Sequence, residues 1–240
     1  MNLLFVIPAR GGSKGLPKKN IKQIAGKPLL QWSAEAALKA AEKLGNSKVV
    51  LSTDDNDIAS LGKALGLEVP FMRPDELSND TAASIDVVLH ALDHYQRDGF
   101  NPDYVFMIEP TSPQRDANDL INSFHHLLQK ESEGAESLVG VCKTESCHPL
   151  FLTHLKNGFL EPYSNKEFKV YRRQEIDSVY FFEGSMYLSK VSSLKGRRSF
   201  YHDKTLGYEM QKWKSFEIDD MVDFIVVEQL LIAREKGLID

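Results

Sequence analysis

Residues Ile7 to Asn20 read IPARGGSKGLPKKN. Gly11, Gly12 and Gly15 let the backbone turn its N–H groups toward one point, and Arg10, Lys14, Lys18 and Lys19 surround that point with positive charge. The chemistry this suits is the holding of a nucleotide's triphosphate. Two commoner phosphate motifs do not apply: no Gly-Lys-Ser/Thr stands at the ATPase spacing after the glycines, and the dinucleotide fingerprint G-x-G-x-x-G is missing. A second polar segment, Ser78-Asn79-Asp80-Thr81, reads as a helix start with Asp80 or Thr81 as cap, and a helix N-terminus also attracts anions. Cys142, Cys147, His148 and His154 carry zinc-ligand atoms, but the paired short cysteine spacing of a zinc site is absent, and none is expected. His125 and His126 read as solvent-facing helix residues, and His148, before Pro149, as a turn residue rather than a base.

The elements that must position the loop follow from the apolar pattern. Leu3, Leu4, Phe5, Val6 and Ile7 run without a polar break directly into it, the signature of a strand buried on both faces. Helical and strand-like runs then alternate: a helix near Pro28 to Lys43, a strand at Lys48 to Ser52, a helix near Asp57 to Leu65, a strand at Glu68 to Phe71, a helix near Ser84 to Arg97, a strand at Tyr104 to Ile108, a helix near Asn118 to Lys130 and a strand at Ser137 to Val141. This rhythm predicts an α/β fold with a doubly wound, mostly parallel sheet. Pro28 suits the first turn of the first helix, and Asp55 or Asn56 the cap of the second. From Cys142 to Lys204 the rhythm gives way to aromatics, basic residues and turn formers, read as an inserted arm that leaves 1–141 and 205–240 as the core. A strand around Lys214 to Ile218 and a helix from Met221 to Lys236 close the chain, the helix covering the sheet with Val222, Ile225, Val226, Gln229 and Leu230.

The 240 residues, 42% of them hydrophobic, suffice for one full core. A net charge of −5 argues against a nucleic-acid-binding surface. No apolar run reaches the ~18 residues of a membrane span, and no charged leader precedes one, so a soluble chain without membrane partners is expected. With only Cys142 and Cys147, a disulfide scaffold is excluded and a reducing, cytoplasmic setting is the simpler expectation.

PARGGSKGLPKKN is followed in order by RPDELSNDTAAS at Arg73 to Ser84, EPTSPQR at Glu109 to Arg115, HPL at His148, RRQ at Arg172 and FEIDD at Phe216. Together, over nearly the whole chain, these motifs resemble the acylneuraminate cytidylyltransferases, the CMP-sialic acid synthetases. The resemblance implies a Rossmann-like nucleotidyltransferase with an inserted dimerisation arm. In that family the anomeric hydroxyl of a nonulosonic acid, a nine-carbon keto sugar acid, attacks the α-phosphate of CTP, forming a CMP-sugar and releasing pyrophosphate.

By the same resemblance Arg10, Ser13, Lys19 and Asn20 fall on nucleotide-contacting positions, joined by Arg73 and Ser84, with Lys19 stabilising charge at the α-phosphate. Such chemistry asks mainly for in-line positioning and for cations around the phosphate oxygens. Asp219 is the expected ligand of a Mg2+ cofactor and completes the catalytic set with Lys19 and Arg10. Glu217, two residues earlier, shares its side if the segment is extended, although the family usually has Asp there. Asp220 reads as the cap of the last helix, and Asp54 and Asp55 as turn and cap residues.

The sugar side departs from the sialic acid pattern. Glu109 stands where Gln is common, in the segment that also supplies Thr111 and Ser112. Phe151 replaces a frequent Lys, Phe181 a frequent Arg and Glu183 a frequent Asn, while Arg173 keeps an arginine suited to the sugar carboxylate. Two cations lost and two carboxylates gained favour a deoxy, acetamido or amino-bearing tail over a glycerol tail. The aromatic arm predicts a contact with a second subunit, and the resemblance implies a homodimer in which the arm reaches across so that Arg172 or Arg173 acts on the neighbour's site. A cytidylyltransferase for the eight-carbon acid of lipopolysaccharide, or another sugar nucleotidyltransferase, shares the loop and fold. An idle nucleotide-binding module is disfavoured by the intact Arg10, Lys19, Arg73 and Asp219.

Overall fold

Leu3–Pro8 forms strand β1, and its alternation assigns helices to the two faces of the sheet. Leu3, Phe5 and Ile7 pack with residues of α1 (Leu29–Leu44) and α4 (Ala117–Lys130), whereas Leu4 and Val6 pack with α3 (Ser84–Arg97) and α5 (Val191–Arg197). All five residues are buried, so the unbroken apolar run reflects cover on both sides. The structure, a computed structural model, describes residues 1–144, 147–163, 172 and 176–240.

A short hairpin, β2 (Gln23–Ile24) and β3 (Lys27–Pro28), precedes α1; β4 (Ser47–Ser52), α2 (Asn56–Ala64) and β5 (Tyr104–Met107) continue the alternation. Then come β6 (Ser137–Lys143), the hairpin β7 (Thr153–Lys156) and β8 (Phe159–Pro162), β9 (Tyr180–Lys190), β10 (Thr205–Glu209) and α6 (Met221–Glu235). The central sheet has the order β10-β6-β9-β5-β1-β4. β1 is parallel to β4 and β5, β6 is parallel to β10, and β9 is antiparallel to both β5 and β6, so β9 alone opposes the other strands of this sheet. The chain leaves β1 for β4 on one side and returns to β5 on the other. Loops leaving the carboxyl ends of β1 and β5 therefore diverge, which opens a crevice at this switch point.

Several expected elements differ. Glu68 to Phe71 makes a single bridge, Val50 to Glu68, because Pro70 has no N–H to extend a ladder. Lys214 to Ile218 is not a strand: a 3-10 turn at Lys212–Lys214 leads into an irregular segment whose Ile218 N–H donates to the Thr111 carbonyl. Pro28 is the residue preceding α1 rather than a member of its first turn. Asp55 caps α2, Asp116 caps α4 and Asp220 caps α6.

Helix α6 turns the opposite way from expectation. Phe224, Val227 and Leu231 are buried against Leu16, Ile24 and Leu29, while Val222, Ile225 and Val226 are exposed. The helix is apolar on both sides, so spacing alone does not select the inward stripe. It clamps the glycine-rich loop after β1 and the β2–β3 hairpin instead of covering the sheet. The expected arm, 142–204, is also divided: β9 sits inside the sheet with Met186 and Leu188 fully buried, so 180–204 packs with the core. Outside it lies the β7–β8 hairpin, with Leu155, Phe159 and Leu160 exposed.

Candidate active site

The crevice is a cleft of about 500 Å3 lined by the loops after β1 and β5, the start of α3 and the segment before α6. Arg10, Ser13, Lys19, Asn20, Arg73, Ser84, Glu109, Thr111, Glu217 and Asp219 all line it, although they are drawn from across the sequence.

The loop is built from its glycines outward. Gly11 donates its N–H to Asp54 Oδ1 at 2.9 Å, and a Cβ there would lie 2.7 Å from Asp55 Oδ2, so the loop crosses tightly over the residues after β4. At Gly15 a Cβ would lie 2.3 Å from the Asp219 carbonyl; only glycine lets the loop approach the acidic segment this closely. Asn20 is buried and donates its side-chain amide to the Arg10 carbonyl at 3.0 Å, a brace across the loop.

Two ends of the cleft differ. At the inner end, Lys19, with its side chain only 12% exposed, donates to the Ile218 carbonyl at 2.6 Å and stands 3.6 Å from Asp219 Oδ1. At the rim, Arg10 and Lys14 both pair with Asp80. The start of α3 opens beside them: its cap position is Ala83, without a side-chain cap, and Ala82 and Ser84 face the cleft. Asp80 and Thr81 do not cap the helix. Asp86 N–H donates to the Ala83 carbonyl, and the N–H groups of Ser84 and Ile85 before it carry no side-chain cap, an arrangement that suits an anion. Arg73 is buried, its guanidinium bonded to the side chain and carbonyl of Ser52, and burial pushes its pKa down to about 10 despite Asp54.

Carboxylates gather at the inner end. Glu109 and Glu217 line the cleft, and fully buried Glu183 lies behind them, its Oε1 accepting from Ser185 Oγ while Oε2 has no partner. Burial, with the like charges of Glu109, Asp219 and Glu183, pushes Glu217 up to about 7. Burial also pushes Glu183 up to about 7 against the pull of Ser185 and Arg115, and raises Glu109 against Arg115 and Lys19. Two glycines make the room: a Cβ at Gly184 would lie 1.3 Å from Glu217 Oε1, and one at Gly140 would lie 1.7 Å from Glu183 Oε1. Glu217 and Asp219 both line the cleft and carry hard oxygen donors of the kind Mg2+ takes, although the segment between them is irregular rather than the extended strand expected. Among the described residues no group of three or more His, Cys, Asp or Glu is arranged to hold a metal, so a cation here would take its remaining ligands from phosphate and water. The zinc-type residues do not assemble: Cys142 is buried, Cys147 is exposed, and His148 uses Nδ1 to accept from Leu150 N while its Nε2 lies 3.1 Å from the Asp177 carbonyl.

Two expected sugar residues fall elsewhere. Ser112 is fully buried, below the cleft surface. Phe181 lies on β9 where it pairs with Cys142, exposed and away from the cleft lining. Arg173 lies outside the described residues. Two positioning residues were not singled out from the sequence. Arg115, completely buried, donates to the carbonyls of Glu109 and Ser185 and to Ser33 Oγ, and Gln114 donates to the Phe216 carbonyl at 3.0 Å. Their signal was adjacency: both immediately precede the Asp116 cap, so their side chains leave from a fixed helix start.

Residues 4–234 match the family model described as cytidylyltransferase. The chain belongs to the cytidylyltransferase family. This cytidylyltransferase is 28% identical over 242 residues to the CMP-N,N'-diacetyllegionaminic acid synthase of Legionella pneumophila, covering 100% of both chains. It is 30% identical to the post-translational flagellin modification protein B of Campylobacter coli, over 98% of this chain and 97% of that one. It is also 30% identical to the N-acylneuraminate cytidylyltransferase of Streptococcus agalactiae, where it covers 52% of the relative's length. Among solved structures, CMP:2-keto-3-deoxy-manno-octonic acid synthetase complexed with CTP superposes with a TM-score of 0.69 at 18% identity, covering 98% of this chain and 100% of that one, a likeness of fold.

Proposed function

We propose that this cytidylyltransferase transfers CMP from CTP to the anomeric hydroxyl of a sialic acid-like nonulosonic acid, with release of pyrophosphate. The observation that carries this reading is the single cleft in which a glycine loop, Arg10, Lys14 and Lys19 face Glu217 and Asp219 at the β1/β5 switch point. The cations and the open start of α3 hold the triphosphate. Lys19, fixed by the Ile218 carbonyl, stands to meet charge developing at the α-phosphate, which is the form of electrostatic help phosphoryl transfer uses most. Mg2+, held by Asp219 and Glu217, would neutralise phosphate charge. Asn20 and Arg73 brace the walls, and Ser13 and Ser84 offer hydroxyls to the nucleotide.

The acceptor is inferred to be a deoxy, diacetamido nonulosonate of the N,N'-diacetyllegionaminate type. Glu109 and Thr111 line that end of the cleft, where carboxylates outnumber free cations, and the Legionella relative carries that sugar in its name. The protein is further proposed to act as a cytoplasmic homodimer, consistent with its unpaired cysteines and with the exposed apolar side chains of the β7–β8 hairpin. Mass detection of CMP conjugates from equimolar N,N'-diacetyllegionaminate, N-acetylneuraminate and the eight-carbon acid tests the acceptor. Dominant conjugation of the diacetamido sugar supports it; equal or greater conjugation of N-acetylneuraminate overturns it.

A further inference from the structure

Asp80 occupies a place that the reaction chemistry does not require of a carboxylate. Its Oδ1 accepts from Arg10 Nη1 at 2.9 Å, its Oδ2 pairs with Lys14 Nζ, and it lines the cleft beside the open start of α3. These two bonds hold the carboxyl below the usual carboxylate range. The segment is shaped to present it: Asn79 Oδ1 accepts from both the N–H and the hydroxyl of Thr81, and the Asn79 carbonyl accepts from Ala82 N–H, folding the turn so that residue 80 faces the loop.

The cations of the cleft are graded in depth. The Lys19 side chain is 12% exposed and tied to the acidic wall; those of Arg10 and Lys14 are 34% and 78% exposed, at the rim. A triphosphate whose α-phosphate lies at Lys19 directs its outer phosphates toward Arg10 and Lys14, the pair that Asp80 holds. We propose that Asp80 sets the affinity of the rim for the outer phosphates: its carboxylate sits in their seat, so that a ligand bringing pyrophosphate-like charge must displace it, and it pairs again with Arg10 and Lys14 as pyrophosphate departs. CMP, with one phosphate, does not contest the seat. Asp80 in this way penalises every ligand that uses the rim and leaves α-phosphate binding untouched, which separates substrate and leaving group from the CMP moiety. The inference rests on the nucleotidyltransferase reading of the cleft.

Titration calorimetry of the full chain with inorganic pyrophosphate, and separately with CMP, both without metal, tests it in the wild type, Asp80→Asn and Asp75→Asn. Asp75 lies in the preceding turn outside the cleft lining and controls for net charge. Freeing two exposed cations should tighten pyrophosphate binding roughly 3- to 10-fold in Asp80→Asn. CMP affinity should be unchanged, and Asp75→Asn should match the wild type with both ligands. Pyrophosphate binding that is equal or weaker in Asp80→Asn overturns the proposal. So does an equal gain for CMP, or an equal gain in Asp75→Asn. Turnover of CTP with a nonulosonate by the wild type is a separate readout, so failure of the nucleotidyltransferase reading is distinguishable from failure of the Asp80 role.

Discussion

Lys19 donates a 2.6 Å hydrogen bond to the carbonyl of Ile218, a residue 199 positions away. This bond joins the glycine-rich loop after β1 to the short segment that carries Glu217 and Asp219. Gly15, packed beneath the Asp219 carbonyl, makes a second joint between the same segments. The Ile218 N–H donates onward to Thr111, and Gln114 holds the Phe216 carbonyl, so three loops behave as one frame.

Lys19→Met removes the cation and the joint together. A preorganised donor to developing charge is worth about 10²- to 10³-fold in rate, and a loss of that size in kcat is expected, with a smaller change in the KM for CTP. Steady-state kinetics checks this. A change confined to KM would place Lys19 in ground-state binding only.

Asp219→Asn should raise the Mg2+ concentration for half-maximal activity roughly tenfold or more, on the scale at which even outer partners of metal ligands act. Glu217→Gln should shift the same curve less, because part of the Glu217 population is protonated near neutral pH. A Mg2+ titration of each variant decides. Unshifted curves for both would remove the pair from the metal site.

Gly15→Ala should destabilise the fold by about 1–3 kcal/mol, the usual cost of forcing a methyl into packed atoms, because the methyl meets the Asp219 backbone rather than a flexible side chain. Gly12→Ala, with open space around its Cβ position, should be close to neutral in stability. Thermal denaturation separates the two. Equal melting temperatures would contradict the close approach of the loop.

Glu183, raised to about 7 by burial, makes stability depend on pH with a definite sign. Its contribution is fully present below the unfolded carboxylate value near 4.5 and is lost as pH rises through about 7. Glu183→Gln should flatten the fall in stability between pH 5 and pH 8 by up to about 3 kcal/mol, from 1.36 kcal/mol per pKa unit. Urea denaturation across that range is the check, and parallel profiles would contradict it.

The exposed Leu155 and Leu160 of the β7–β8 hairpin should contribute to self-association. Sedimentation should find a dimer for the wild type and a monomer for the double variant Leu155→Asp, Leu160→Asp. A wild-type monomer at micromolar concentration would remove the hairpin from any such role.

Much of this was legible in the residue order. The alternation of elements, the α3 boundaries and the glycine-rich turn after β1 follow from local pattern, because a buried strand and a run of glycines have few alternative conformations. The antiparallel entry of β9 was not legible. Its core residues, Met186 and Leu188, follow an aromatic run, Tyr180 to Phe182, that is exposed, and pattern averaged the two halves into one arm. The inward stripe of α6 was also hidden, since a helix apolar on both sides leaves the choice to its neighbours. The pairing of Asp80 with Arg10 and Lys14 spans about 70 residues and depends on how two loops meet above the sheet, which no local spacing encodes.

The most direct test is Mg2+-dependent pyrophosphate release from CTP in the presence of N,N'-diacetyllegionaminate, run beside Lys19→Met and beside a reaction lacking sugar. Stoichiometric release that requires both the sugar and Lys19 is the predicted result. Sugar-independent release, or none with any nonulosonate although CTP binds, would contradict transfer of CMP to a sugar acid.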